Sequence, residues 1–155
     1  MSDTKYSILV DAYDKIEATA KRLEMRDLLA ELFKKTPAKV VGEIVYLTQG
    51  KLYPDYVGLE LGMAEKLIVR AISVASGRSE KIIESSYKTT GDLGETAEKL
   101  FGKKAQQTLT KRVLNVEDVY LVFDKIAREA GAGSVEAKIR LLCSLLNDAS
   151  SREAK

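Results

Sequence analysis

Two glycine-containing turns carry the residue types in this chain that could bind an anion. The first is Gly91-Asp92-Leu93-Gly94, and the second is Gly131-Ala132-Gly133-Ser134, with Lys138 one helical turn later. A glycine turn that leads into a helix offers free backbone N–H groups at the positive end of the helix dipole. The candidate phosphate contacts in these turns are Gly91, Asp92, Gly94, Gly131, Gly133, Ser134 and Lys138.

Both turns also have a purely structural explanation. Asp92 and Glu95 have the spacing of a capping box, and Ser134 could cap the helix that it precedes. Glu136, in the first turn of that helix, opposes the binding of an anion. On these residues alone, turns that only connect helices are the favoured explanation.

A third candidate is the basic stretch at residues 99–112, which contains no acidic residue. We predict an irregular loop here, with four cations, Lys103, Lys104, Lys111 and Arg112, that could attract the phosphates of a nucleic acid. The alternative is a solvated basic loop, and the net charge of +2 is too small to indicate nucleic-acid binding for the chain as a whole.

Several kinds of catalytic and metal site are excluded by composition. The chain has no histidine and one cysteine, which rules out serine–histidine catalysis, zinc sites built from cysteine or histidine, and an internal disulfide. Cys143 shares a helical spacing with Ile139 and Leu146, so we expect a core side chain. No Walker loop and no Lys-x-Asp-Gly motif occurs. We therefore expect neither a catalytic site nor a metal site on this chain.

The apolar spacing predicts an all-α fold, a compact bundle of about eight helices with irregular packing that does not repeat. The first helix extends through Leu9 and Leu23, a later one begins with Thr36 as its cap, and another spans residues 62–77. Residues 49–58 form a loop, and Asp92, Asn115 and Ser134 precede later helices. The length suits one domain. The chain start lacks a signal peptide, and the most apolar stretch contains Arg70, so we expect a cytoplasmic protein without membrane contact.

Four ordered blocks resemble the N-terminal DNA-binding domain of archaeal and eukaryotic ATP-dependent DNA ligases. They are residues 59–67, 71–77, 90–94 and 131–138, and the similarity extends from about Tyr6 to Lys155. The resemblance implies a helical domain that encircles double-stranded, nicked DNA together with two further domains and touches phosphates across the minor groove. It would position the nick without reading sequence, in replication and repair in the archaeal cytosol.

The same resemblance implies that the chain is a fragment. The adenylation domain, with its Lys-x-Asp-Gly nucleophile, and the OB-fold domain are absent, so ATP and Mg²⁺ belong to the parent enzyme and this chain cannot ligate alone. The helical domain of the family also continues past the equivalent of Lys155.

In archaeal relatives, a short motif led by glutamine docks on the PCNA sliding clamp. It matches Gln106-Gln107-Thr108-Leu109-Thr110 here, although Thr110 stands where the relatives place an aromatic residue. A helical protein-interaction module that binds an acidic partner or the clamp is the alternative function.

Overall fold

The computed structural model describes residues 4–102 and 112–155 of the chain. These residues form nine α-helices and one 3₁₀ turn without a β-strand, which confirms the predicted all-α fold. The helices are α1 (Tyr6–Glu17), α2 (Arg22–Lys35), α3 (Ala38–Thr48), α4 (Glu65–Ser76), α5 (Glu80–Thr90), α6 (Leu93–Phe101), α7 (Val116–Arg128), α8 (Ser134–Asp148) and α9 (Ser151–Ala154), and the 3₁₀ turn is Asp55–Val57.

The core has two main parts. In the larger part, the apolar faces of α4, α5, α6 and α8 meet around Ile72, Ile83 and Ile139. In the other, α1, α2, α3 and α7 surround Leu9 and Ile44. Burial of these faces supplies most of the stability of each helix, because the isolated helices are too short to persist in water.

The break between α1 and α2 differs from the prediction. A single helix through Leu9 and Leu23 is wrong, since α1 ends at Glu17 and Leu23 is 66% exposed on α2. The Thr19 hydroxyl donates a 2.6 Å hydrogen bond to Glu24 and accepts one from the backbone N–H of Lys21 at 3.2 Å. Threonine thus makes a turn that contains neither glycine nor proline, by bonding to nearby groups in place of the helix backbone.

Two predicted helix starts are also wrong. Thr36 ends α2 with an extended backbone, because the α conformation is disfavoured directly before a proline, and Pro37 directly precedes α3. Gly62 lies outside α4, with φ at +64°, and α4 begins at Glu65. The end of α4 at Gly77 is confirmed, with the left-handed backbone that glycine adopts most readily.

Cys143 lies in the core, as predicted. Its thiol donates a hydrogen bond to the carbonyl of Ala71 across 3.3 Å, which links α8 to α4, and burial raises its pKa. Among the described helices, none is long and apolar enough to cross a membrane.

Candidate nucleic-acid interface

The second glycine turn leads directly into α8. Gly131 and Gly133 both have left-handed backbones, with φ near +81° and +80°, and a Cβ atom on either would have no neighbour within 4 Å. Gly133 occupies the N-cap position and Ser134 is the first helical residue. The structural explanation, in which Ser134 caps α8, is therefore wrong. The turn presents an open backbone at the positive end of a 15-residue helix.

Lys138 joins the start of α8 to the segment that precedes α4. Its ammonium donates a hydrogen bond to the carbonyl oxygen of Gly62 at 3.1 Å and lies 3.5 Å from that of Leu61. An ammonium has three donors, so these two carbonyls leave capacity for another acceptor. The side chain is held in place by residues that are distant in sequence.

The first glycine turn joins α5 to α6. Gly91 ends α5 with φ at +74°, and no atom lies within 4 Å of a Cβ built there. The Asp92 carboxylate accepts a 2.9 Å hydrogen bond from the backbone N–H of Glu95, which confirms the predicted cap. Gly94 differs from Gly91, because a Cβ on Gly94 would overlap the backbone carbonyl oxygen of Lys155. The close approach at Gly94 is thus made by the end of α9, whereas Gly91 faces open space.

A hydrogen bond connects this turn with the start of α4. The hydroxyl of Tyr87, in the last turn of α5, donates to the Glu65 carboxylate in the first turn of α4 at 2.9 Å. This bond and the charge of Glu65, with a smaller effect of Asp92, raise the pKa of Tyr87. Since Lys138 also contacts the segment before α4, both glycine turns adjoin the same helix start. The structure therefore brings the starts of α4, α6 and α8 to one end of the molecule.

Two acidic residues at this end have partners within the protein. Glu65 accepts from Tyr87, and Glu136 forms a 3.2 Å ion pair with Arg70 of α4. Lys66 and Lys88, also near these helix starts, are exposed and make no ion pair within the described parts of the chain. Sequence reasoning overlooked these two lysines, although each lies within four residues of a glycine at Gly62 or Gly91.

Of the basic stretch at residues 99–112, the structure describes residues 99–102 and Arg112. The remaining candidates of this stretch lie outside the described residues. They are the cations Lys103, Lys104 and Lys111 and the glutamine-led motif Gln106, Gln107, Thr108, Leu109 and Thr110. The backbone N–H of Arg112 donates to the Asp148 carboxylate at 3.2 Å, and its guanidinium lies 4.0 Å from the same group. Asp148 ends α8 and Ser134 begins it, which places them about 21 Å apart along the helix. Arg112 is therefore not adjacent to the second glycine turn.

A polar network that sequence reasoning also overlooked fixes the loop between α3 and α4. The Tyr53 hydroxyl donates to Asp124 at 2.6 Å, and Arg128 donates to Asp124 at 2.9 Å and to the Tyr53 oxygen at 3.1 Å. The bond from Tyr53, helped by Arg128, lowers the pKa of Asp124. The ring of Tyr53 packs edge-on against Tyr120, whose hydroxyl donates to the carbonyl of Leu52. This network holds the loop on α7.

The family model and the similar proteins that match this chain all belong to DNA ligases. The family model described as DNA ligase N terminus matches residues 5–155. DNA ligase 2 of Thermofilum pendens is 48% identical over 164 residues, which cover 99% of this chain and 27% of the relative. The DNA ligase of Nitrosopumilus maritimus is 50% identical over 150 residues, or 97% of this chain and 26% of the relative. The DNA ligase of Saccharolobus solfataricus is 40% identical over 159 residues, again 97% and 26%.

The chain spans about a quarter of the length of these relatives. The chain belongs to the DNA ligase N-terminus family.

Proposed function

We propose that residues 1–155 form a DNA-binding domain that positions a nick in double-stranded DNA without reading its sequence. The observation that carries this proposal is the proximity of three helix starts, those of α4, α6 and α8, two of which follow open glycine turns. Helix starts donate backbone N–H groups to phosphate oxygens, which are the same at every base pair. Such an arrangement recognises the charge and spacing of a DNA backbone across the minor groove.

We also propose that the parent protein is an ATP-dependent DNA ligase that acts in the cytosol in DNA replication and repair. Lysine adenylation with ATP and Mg²⁺, AMP transfer to the 5′-phosphate and attack by the 3′-hydroxyl would take place on other parts of that protein. The Lys-x-Asp-Gly nucleophile is not in this chain. What its own residues would contribute is the placement of the nick, so incubation of the chain with ATP should give no covalent AMP.

The salt dependence of DNA binding tests the proposed function. If about five phosphates are neutralised, a plot of log affinity against log salt should have a slope of roughly −4 to −5. Nicked and intact duplexes of several sequences should bind with the same slope, because phosphates carry the contacts. Failure to bind any duplex at low salt would contradict the proposal and favour a module that binds an acidic protein.

A contact with the PCNA sliding clamp is a separate proposal that rests on the sequence. Gln106 and Leu109 would enter a surface pocket of the clamp, with Gln107 and Thr108 between them in the sequence. Thr110 supplies no aromatic anchor, so we expect weak, micromolar binding, on the order of −8 kcal/mol.

A further inference from the structure

A groove of about 480 Å³ with basic side chains lies between α5 and the end of α6, outside the three helix starts themselves. Two apolar side chains, Ile82 and Leu100, form part of its wall. The polar side chains that line it are Arg78, Lys81, Ser85, Ser86, Thr89 and Lys99. No lining residue is acidic, so the groove combines positive charge with hydroxyl donors.

The helical repeat explains this arrangement. Lys81, Ser85 and Thr89 are spaced four residues apart and therefore lie along one face of α5. The short turn at Gly91 folds α6 back along α5, so Lys99 in the last turn of α6 lies opposite the start of α5. The lysines thus gather at one end of the groove, and the hydroxyls lead from there towards Gly91.

Several polar groups of the groove have unused hydrogen-bonding capacity. Lys81 and Lys99 are exposed and form no ion pair within residues 4–102 and 112–155. The Ser86 hydroxyl oxygen is buried and has no hydrogen-bond partner among the described residues. A buried hydroxyl without a partner is unusual, because removal from water is unfavourable unless another group replaces the water. The hydroxyl of Ser85, which is exposed and lines the groove, can donate to an acceptor placed there.

We propose that this groove binds the phosphodiester backbone of DNA, as a second contact beyond the helix starts. The inference rests on the proposed DNA binding of the domain. Phosphate oxygens accept hydrogen bonds from ammonium and hydroxyl groups alike, which matches the polar lining. The distance along α5 from Lys81 to Thr89 is about 12 Å, which equals the rise of three to four nucleotides of one strand. A strand that passes Gly91 can therefore continue over Thr89 and Ser85 to Lys81 and Lys99.

The test compares two double variants by their affinity for a nicked duplex between 50 and 200 mM salt, in steps set by roughly equal changes in log salt. Lys81→Ala with Lys99→Ala removes both lysines of the groove. Lys34→Ala with Lys125→Ala is the charge-matched control, on α2 and α7. The groove variant should bind roughly tenfold more weakly at low salt, with a slope shallower by about two, whereas the control should stay close to the parent. Melting temperatures of both variants should stay near that of the parent.

Ser85→Ala tests the hydroxyl contact separately from the charge of the lysines. Because the Ser85 hydroxyl is exposed in the groove, its removal should not lower the melting temperature, yet it should weaken DNA binding. A fall in melting temperature with unchanged DNA affinity would assign the hydroxyl to folding and overturn its role in the groove.

The remaining outcomes separate the groove from the proposed function. If the parent binds no duplex, both proposals fail. If the parent binds and the two double variants lose affinity equally, the groove inference is wrong and the DNA-binding function stands. Tripolyphosphate or ATP that stabilises the parent but not the groove variant, while both bind DNA equally, would assign the groove to a free polyphosphate. A glutamate-rich peptide that binds the parent as tightly as DNA, and not the groove variant, would assign it to an acidic protein.

Discussion

The ammonium of Lys138 lies 3.1 Å from the carbonyl oxygen of Gly62, a residue 76 positions earlier in the chain. A Cβ on Gly62 would lie 2.9 Å from that ammonium, so a side chain at this position would displace the end of the lysine. The bond holds the segment before α4 against the second turn of α8. Lys138 therefore has a structural contact in addition to its predicted contact with phosphate, and the two roles can be separated by experiment.

Lys138→Ala should weaken binding to all duplex sequences about equally. Removal of one phosphate contact should also make the salt slope shallower by about one unit. The measurement is a salt titration of duplex affinity by fluorescence anisotropy. Arg140→Ala is the matched control, because Arg140 is an exposed cation two residues further along α8 and so faces another direction.

A purely structural Lys138 would give a different result. The melting temperature would fall and the slope would stay unchanged, because only the bond to Gly62 would be lost. Equal slopes for the parent and Lys138→Ala would remove this lysine from the phosphate site.

Gly91→Asn should lower DNA affinity with little loss of stability. Asparagine tolerates the left-handed backbone better than other side chains, and the space around a Cβ at this position is open in the protein. An added side chain would meet only a ligand that approaches the turn. Parallel thermal melts and duplex titrations of the parent and the variant measure both effects, and unchanged affinity would leave Gly91 as a turn residue only.

Gly94→Val should behave differently from Gly91→Asn. Its Cβ would overlap the backbone of Lys155 and lie 2.9 Å from the Asp92 carboxylate that caps α6. We expect a destabilisation of about 1–3 kcal/mol from this overlap, measured by urea denaturation. From sequence alone, Gly94→Val would reduce DNA affinity without a change in melting temperature. A free energy of unfolding equal to that of the parent would mean that α9 moves aside without cost.

The local patterns of the sequence predicted local structure well. The spacing of apolar residues predicted the helices, and the spacing of Asp92 and Glu95 predicted the cap of α6. Helix boundaries failed where a side chain makes an unusual bond, as Thr19 does with Glu24 between α1 and α2. Neither Gly nor Pro marks that break, so apolar spacing alone continues through it.

The candidate site was predictable in its parts and not in its arrangement. Both glycine turns stand out in the sequence, but their common neighbour, the start of α4, depends on bonds between residues that are distant in sequence. Tyr87 and Glu65 are 22 residues apart, and Tyr53 and Asp124 are 71 apart. Such pairs follow from the packing of whole helices, which periodicity does not specify.

Tyr53→Phe should destabilise the protein by about 1 kcal/mol at neutral pH, because Asp124 loses a hydrogen bond to its charged form. That bond holds the pKa of Asp124 below its ordinary value. The stabilisation is therefore fully present above the unfolded pKa of about 3.9 and disappears as the pH falls through the lower folded pKa. Urea denaturation of the parent and the variant at a series of pH values measures the difference, which should shrink in acid.

Tyr56→Phe is the control for this pH dependence. Tyr56 lies three residues away in the same loop and is 89% exposed, so loss of its hydroxyl should leave stability unchanged at every pH. A difference between the parent and Tyr53→Phe that stayed constant down to the acid limit would show that Asp124 is not the group responsible.

Leu109→Ala should reduce binding to the sliding clamp while DNA affinity is preserved. Leu109 is the one large apolar side chain in the uncharged centre of the basic stretch, three residues after Gln106. Full burial of this side chain in a surface pocket is worth roughly 2 kcal/mol, which corresponds to about a thirtyfold change in affinity. Because Thr110 provides no aromatic anchor, labelled clamp must be titrated at micromolar concentrations. Leu23→Ala, which truncates a leucine that is 66% exposed on α2, is the matched control. Equal clamp binding by the parent and Leu109→Ala, or none by either, would leave the stretch with DNA attraction alone.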